Sequence, residues 1–331
     1  MATPSDVPRE AAERTAAATG RILSIDRFRG ALVILMVGGD FLGGVAFVPD
    51  WLKHAPDVGL TVADLVAPCF VFAIGLTYGP SFARRAGRDG LGAAYGHFLL
   101  RYLALVGIGA ILTVGGTQLA GQPTDWGVLQ AIGVAGLVAL PFVRLGTTVR
   151  FAVGAALLVV FQLILDAGAL PIVHASVQGG LVGTLSWGAL LILSTAVADV
   201  WRRGRAPLAV CAGVLTAVAI ASVLVVPVAK TRVSLSYVLV TLAVAAIAFS
   251  LTDAASRAVP SRPGLIAWWG EYPLVLYLLH LILLAFVVLP DASWWYAGAP
   301  LWLAAGQLAA ILVVLSLVAW MLHRRRARLA L

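Results

Sequence analysis

The sequence predicts an all-α, polytopic membrane protein with about ten transmembrane helices and both termini cytoplasmic, on three observations. Hydrophobic residues make up 61% of the 331 and charged residues only 11%, against about 25% charged in ordinary soluble domains. One soluble core cannot absorb that much apolar sequence, because the remaining polar surface would not cover it. From residue 30 onward, apolar stretches near the ~20 residues a bilayer requires recur between short polar breaks. The alternating period-2 segments of a transmembrane barrel are absent. The third observation is the placement of the basic residues, which fixes the orientation of the spans.

Taken in order, residues 1–20, MATPSDVPREAAERTAAATG, are polar and Ala-rich with no apolar core. They read as a flexible cytoplasmic tail rather than a signal peptide. Residues 21–323 form the membrane domain and 324–331 a basic cytoplasmic tail. The expected spans are 30–48, 61–82, 98–119, 126–143, 151–169, 181–200, 207–227, 234–252, 264–289 and 299–321. With the N-terminus inside, every one of the 23 basic residues except Lys53, Lys230 and Arg232 falls on the cytoplasmic side. That bias sets an N-in, C-in topology in the cytoplasmic membrane. It also accounts for the net charge of +8 without a nucleic-acid partner, anionic headgroups being incidental company. The two cysteines, Cys69 and Cys211, lie in apolar runs and offer neither a disulfide framework nor a metal-ligand spacing. Pro141, Pro171 and Pro227 fall near span ends, so no broken mid-helix is expected.

Charge inside a span is costly, roughly 2.5–3.5 kcal/mol at mid-helix, and marks a functional candidate. Asp40, in VILMVGGDFLGG, lies about 16 Å above Arg29 at about 1.5 Å per residue, in the outer half of the bilayer. Asp64 sits in the first turn of the second span. His280, in LVLYLLHLILL, lies about 24 Å up the ninth span counted from residue 264, at a similar depth. Glu271 stays near the inner side. The first external loop carries Asp50, Lys53, His54 and Asp57. Each has a second reading: His280 as a core histidine bonded to a helix carbonyl, His54 as a solvated loop residue, and Asp64 with Thr61 as a capping box. Arg29 and Arg101, at helix starts, present cations to a phosphate ligand or snorkel as anchors.

The stretches RILSIDRFRGALVILMV and KHAPDVGLTVADLVAPCFVFAIG resemble the heparan-α-glucosaminide N-acetyltransferase family of transmembrane acyltransferases. S-I-D-x-F-R-G alone also looks like the broader transmembrane acyltransferase group; the H-A-x-x-x-G-L-T-x-A-D-L-V run is more specific. GVLQAIGV at 127–134, VAKTRVSLSYVLVTLA at 228–243 and GEYPLVLYLLH at 270–280 extend the resemblance over residues 21 to 285. It implies acetyl transfer from cytoplasmic acetyl-CoA to an amino sugar or glycan across the membrane, without a metal. The catalytic histidine falls on His54, with Asp40 and Asp64 as its polar partners. Asp26, Arg29 and Arg101 are then the residues near the donor. Gln130, Lys230, Ser234, Tyr237 and His280 are those near the acceptor. The chain departs from the family pattern at Asp40 in place of asparagine and at Asp57-Val58 in place of an aromatic. It departs again at Ala131 in place of arginine, at Ala229 in place of asparagine, and at Tyr272 where asparagine is common. The large soluble domain that precedes the first helix in animal members is not part of this sequence.

The residues suit that chemistry. Acyl transfer from a thioester needs a nucleophile or base, a group to orient it and donors for the developing oxyanion. Imidazole titrates close enough to neutrality to act either way, and Asp64 or Asp40 can hold its tautomer. Lys230, Ser234, Ser236 and Tyr237 offer donors, or simply an interfacial anchor and cap. Polyanionic coenzyme A belongs on the arginine-rich inner face, so its pantetheine arm must reach between helices toward His54. The apolar outer faces of the fifth and seventh spans suit a homodimer or lipid. Two other classes compete: a secondary transporter, against which no internal repeat is evident, and a non-catalytic relative that binds coenzyme A or a glycan.

Overall fold

The computed structural model describes residues 22–120, 126–258, 263–290 and 292–327, with the side chains of 116–120 excepted. The tail expected over residues 1–20 and the end of the basic tail, 328–331, lie outside the described residues. What is described is helical; the β pairing it contains is one isolated antiparallel bridge, Val58 with Ala229. The helices are α1 (Leu23–Gly43), α2 (Val62–Asp89), α3 (Leu91–Ala120), α4 (Val128–Ala139), α5 (Thr147–Ile164) and α6 (Leu170–His174). They continue as α7 (Gly180–Arg203), α8 (Arg205–Val223), α9 (Leu235–Ala258), α10 (Leu265–Glu271), α11 (Pro273–Val288) and α12 (Leu301–Arg324).

Each expected span meets a helical segment, though not every segment has the length and composition of an ordinary transmembrane helix. Among the described residues seven helices are long and apolar enough to cross a membrane, or eight if the bent pair α10–α11 is one span. The α1 helix carries Asp26, Arg27, Arg29 and Asp40 within its 21 residues, and the apolar helix Val128–Phe142 is short. The first therefore falls short of an ordinary span in apolar character, and the second in length.

Two local expectations are corrected. The span expected over 264–289 is broken by 95° between α10 and α11. Pro273 has no N–H to give the preceding turn, and the residue before a proline is pushed out of the helical region; Tyr272 duly sits at φ −129°, ψ 47°. The 24 Å climb to His280 therefore does not exist, and His280 lies only about 10 Å along α11 from Pro273. Arg29 and Arg101 are not at helix starts either, because α1 begins at Leu23 and α3 at Leu91. Hydropathy marks where a helix meets lipid, whereas good helix formers in the polar flank carry the helix further.

The chain divides into two compact units. One holds the described residues up to His54, Thr61–Val66 and those from Ala248 onward; the other holds Ala55–Leu60 and Ala67–Ile247. In the first, α1 and α10 cross with backbones touching: a Cβ on Gly30 would strike the Ile266 carbonyl, and one on Gly270 the Asp26 carbonyl. Only hydrogen fits there. Phe28 meets Phe249 edge-on at 5.5 Å between centroids. The break is tied to α12, where the Tyr272 hydroxyl donates to the Leu322 and Ala327 carbonyls at 3.2 and 3.1 Å.

In the second unit α7 is the central helix, buried along most of its length and packed by α4, α5 and α8. A sustained apolar face all round is what a helix surrounded by others requires. Its C-terminal end is tied by Arg150, which is buried and bonds Asp199 and, at 2.9 Å, the Leu145 carbonyl.

Candidate active site

Three carboxylate–histidine pairs lie in the first unit; one is His323 with Glu271 at 3.1 Å, and the two that hold expected catalytic residues both begin as features of helix ends. Thr61 precedes α2, and Asp64 sits in its first turn, where the helix dipole favours negative charge. Asp64 Oδ2 accepts the Thr61 backbone N–H at 3.0 Å and the Thr61 hydroxyl at 2.9 Å. These bonds fix the carboxylate and leave Oδ1 turned toward the preceding loop. There it meets His54 Nδ1 at 2.8 Å. The capping role and the histidine-holding role are one arrangement.

The electrostatics of this pair follow from its burial. The Asp64 side chain is 0% exposed and that of His54 53% exposed. A buried carboxylate accepts only, so His54 Nδ1 must carry the proton that bridges them, and Nε2 becomes the basic nitrogen. A half-open imidazole held by a buried carboxylate is the base–orienter arrangement of acyl-transfer sites.

The second pair joins residues 240 apart in sequence. Asp40 lies one turn before the end of α1, and His280 lies midway along α11. His280 Nε2 stands 2.9 Å from Asp40 Oδ2, and its Nδ1 stands 2.5 Å from the Tyr277 carbonyl. Here the exposures are reversed: His280 is 1% exposed and Asp40 34%. Tyr296 lies nearby, its hydroxyl donating to the Phe41 carbonyl at 2.8 Å. Its phenol is pushed up by burial and secondarily by Asp40. It is thus Asp64 that His54 touches, while Asp40 pairs with His280 rather than with His54. Tyr277 and Tyr296 were not singled out from sequence, since nothing local to either points to Asp40.

The other expected residues are distributed as follows. Asp26 and Arg29 lie in the first two turns of α1, and the Asp26 carbonyl faces Gly270. In the second unit, Arg101 is exposed, 6.0 Å over the Tyr102 ring. Gln130 is buried and caps α4, its Oε1 accepting the Gly127 N–H at 2.6 Å. Ser234 begins α9 in the same way: its hydroxyl oxygen accepts the N–H groups of Ala229 at 3.1 Å and Tyr237 at 3.3 Å. Tyr237 is fully buried and meets Trp187 edge-on. Lys230 lies in the turn before Ser234.

One cluster in that unit was not foreseen. Asp57 accepts hydrogen bonds from Thr231 at 2.8 Å and from Arg232 Nε at 2.9 Å, with Arg232 Nη2 on its other oxygen. His174 Nε2 stands 3.3 Å away. The Arg232 hydrogen bond, more than any other influence, holds the Asp57 carboxyl down at about 2. With the Val58–Ala229 bridge and the Gly59 N–H to Val228 carbonyl bond at 2.8 Å, the cluster pins loop 55–60 to loop 228–233. The departure at Ala229 falls at this bridge, where the residue is fully buried. Among the described residues no group of three or more His, Cys, Asp or Glu is gathered as a metal site.

Comparison with known proteins bears on the same stretch. The family profile of the heparan-alpha-glucosaminide N-acetyltransferase catalytic region matches residues 21–180. Human heparan-alpha-glucosaminide N-acetyltransferase is 37% identical over 137 residues, covering 37% of this chain and 19% of the human protein. The mouse protein of that name is 34% identical over 130 residues, with the same coverage. The matched stretch is thus about a fifth of those relatives' length. The profile match over residues 21–180 contains Asp26, Arg29, Asp40, His54, Asp64, Arg101 and Gln130, and leaves out Lys230, Ser234, Tyr237 and His280. By that match residues 21–180, with the Asp64-held His54 among them, are similar to the catalytic region of the heparan-alpha-glucosaminide N-acetyltransferases.

Proposed function

We propose that this chain is an integral-membrane acetyltransferase that moves an acetyl group from acetyl-CoA to the amine of an amino sugar or glycan, using His54. The observation that carries the reading is the His54–Asp64 pair at 2.8 Å, with the carboxylate buried and the imidazole half open. Named relatives with this activity in the family support it. His54 Nε2 takes the proton from the acceptor amine, or attacks the acetyl carbonyl itself; Asp64 stabilises the imidazolium in either case. The same residues serve both routes.

The topology belongs to the same proposal. Ten passes, counting α1 and the short α4 with the seven spans and the bent pair, return both termini to the arginine-rich cytoplasmic side. His54 then faces outward, and coenzyme A approaches from the inside near Asp26 and Arg29. Arg101 contributes a further inner cation. The acceptor is extracytoplasmic, and Gln130, Lys230, Ser234, Tyr237 and His280 are its proposed neighbours. The bilayer is the one partner the apolar helices require.

The test is incubation of detergent-purified wild type and His54→Ala with radiolabelled acetyl-CoA, with and without glucosamine. Label reaching the sugar with wild type and not with the variant is the expected result. Label on the wild-type protein without sugar selects the covalent route. A second reading, a secondary transporter, is favoured by the 95° break at Tyr272–Pro273, since discontinuous helices build transporter sites. It predicts ion-coupled sugar uptake into proteoliposomes and no transfer of label.

A further inference from the structure

The His54–Asp64 and Asp40–His280 pairs are built in opposite senses, and the difference is chemical. In the first, the carboxylate is buried and the imidazole is presented. In the second, His280 is 1% exposed and Asp40 is the presented partner at 34%. Both nitrogens of His280 are spoken for: Nδ1 faces the Tyr277 carbonyl at 2.5 Å and Nε2 faces Asp40 at 2.9 Å. A carbonyl accepts only, so Nδ1 carries a proton in every state that keeps this bond. The second bond then needs one proton between Nε2 and Oδ2. Either the imidazolium donates to a carboxylate, or the carboxylic acid donates to a neutral imidazole. The pair has no net charge in both forms, and it holds one proton that it can give away. Asp40 Oδ1 has no hydrogen-bond partner among the described residues. The titratable groups that face the pair are Tyr277, on its own helix, and Tyr296, whose hydroxyl is committed to the Phe41 carbonyl.

We infer that Asp40 and His280 form the general acid of the reaction, complementary to His54 as its base. The inference rests on the acetyltransferase reading above. When the thioester C–S bond breaks, the sulfur leaves with the bonding pair, and the one-proton pair supplies its proton through Asp40 to give the free thiol. The proton displaced from the amine resides on His54. Release of that proton to water and recovery of one by Asp40–His280 resets both pairs, so the sum is amine plus thioester giving amide plus thiol. Paired titratable groups in contrasting environments are how one site divides acid and base work.

The experiment uses the full-length protein, glucosamine as acceptor, and two donors: acetyl-CoA and an acetyl thioester of 4-nitrothiophenol. The aryl thiolate departs without needing a proton. With acetyl-CoA, Asp40→Asn and His280→Phe are expected to slow single-turnover transfer by roughly 10²-fold, the lower end for a lost general acid. With the aryl thioester each variant should lie within about threefold of wild type, a rescue that a merely structural defect does not give. His54→Ala should lose transfer from both donors. Infrared spectra of wild type and Asp40→Asn add a measurement free of turnover: hydrogen–deuterium-sensitive bands of the shared proton present in the first and absent in the second support the pair. Equal slowing of the Asp40→Asn and His280→Phe variants with both donors overturns the inference. No transfer by wild type from either donor overturns the acetyltransferase reading itself, which is a separate outcome.

Discussion

Replacing Asp64 by asparagine is the sharpest probe of the His54 pair, because the structure dictates which way the amide must sit. Oδ2 accepts two donors from Thr61, the N–H at 3.0 Å and the hydroxyl at 2.9 Å, so that position must remain oxygen. The amide nitrogen is then forced into the Oδ1 position, 2.8 Å from His54 Nδ1. An NH₂ group donates, so the imidazole must turn its Nδ1 lone pair inward and move its proton to Nε2. The nitrogen presented to substrate thereby loses its basicity while the side-chain positions stay put. Trapping a catalytic imidazole in the wrong tautomer costs about 10⁴ in kcat, or ~5.5 kcal/mol of transition-state stabilisation.

Folding should change little by comparison. Both Thr61 bonds survive, and the loss is the charge at the helix start, about 0.3–1 kcal/mol. Asp64→Ala is the contrast: it strands the Thr61 donors as well, at roughly 1–3 kcal/mol where they stay buried. The assay is acetyl transfer to glucosamine beside thermal unfolding, with ¹⁵N resonances of His54 reporting the tautomer. Asn and Ala variants should be similarly inactive but separable by melting temperature. If Asp64→Asn keeps a tenth or more of wild-type turnover, or if His54 shows the same tautomer in both proteins, the argument fails.

Three further outcomes are expected. Gly30→Ala places a methyl group against the Ile266 carbonyl and should destabilise the α1–α10 crossing by about 1–3 kcal/mol in denaturant or thermal unfolding; an unchanged melting temperature would show that the helices separate freely. The Asp57 carboxyl is held at about 2, below its ordinary 3.8, chiefly by its Arg232 hydrogen bond. Its contribution to stability is therefore complete above about pH 4 and lost as pH falls toward 2, and Asp57→Asn should flatten that part of the stability–pH curve. Arg29→Ala should raise the KM for acetyl-CoA about tenfold, equivalent to ~1.4 kcal/mol of binding, with kcat and the acceptor KM nearly unchanged; an effect confined to the acceptor would remove Arg29 from the donor side.

How much of this was legible in the sequence depends on the distance over which each feature is decided. Apolar runs set the helical segments one at a time, so all of them could be read, and Thr61-x-x-Asp64 is a capping signal complete within four residues. His54 and Asp64 are ten residues apart, close enough for the motif to suggest the pair. The break at Tyr272 was equally local, and Pro273 announces it; continuous hydropathy across 264–289 concealed it, because hydropathy measures affinity for lipid and not the direction of a helix axis. Asp40 and His280 are a different kind of problem. A rise of about 1.5 Å per residue assigns each a depth, and depth alone left Asp40 as a partner for His54. Which helices are neighbours, and which faces they turn to each other, is decided by contacts such as Gly30 against Ile266 and Gly270 against Asp26. Those glycines bring α10 onto α1 and leave α11, redirected by the break, to set His280 beside Asp40. The helix break that sequence reading passed over is therefore what turns an isolated intramembrane aspartate into half of a histidine pair.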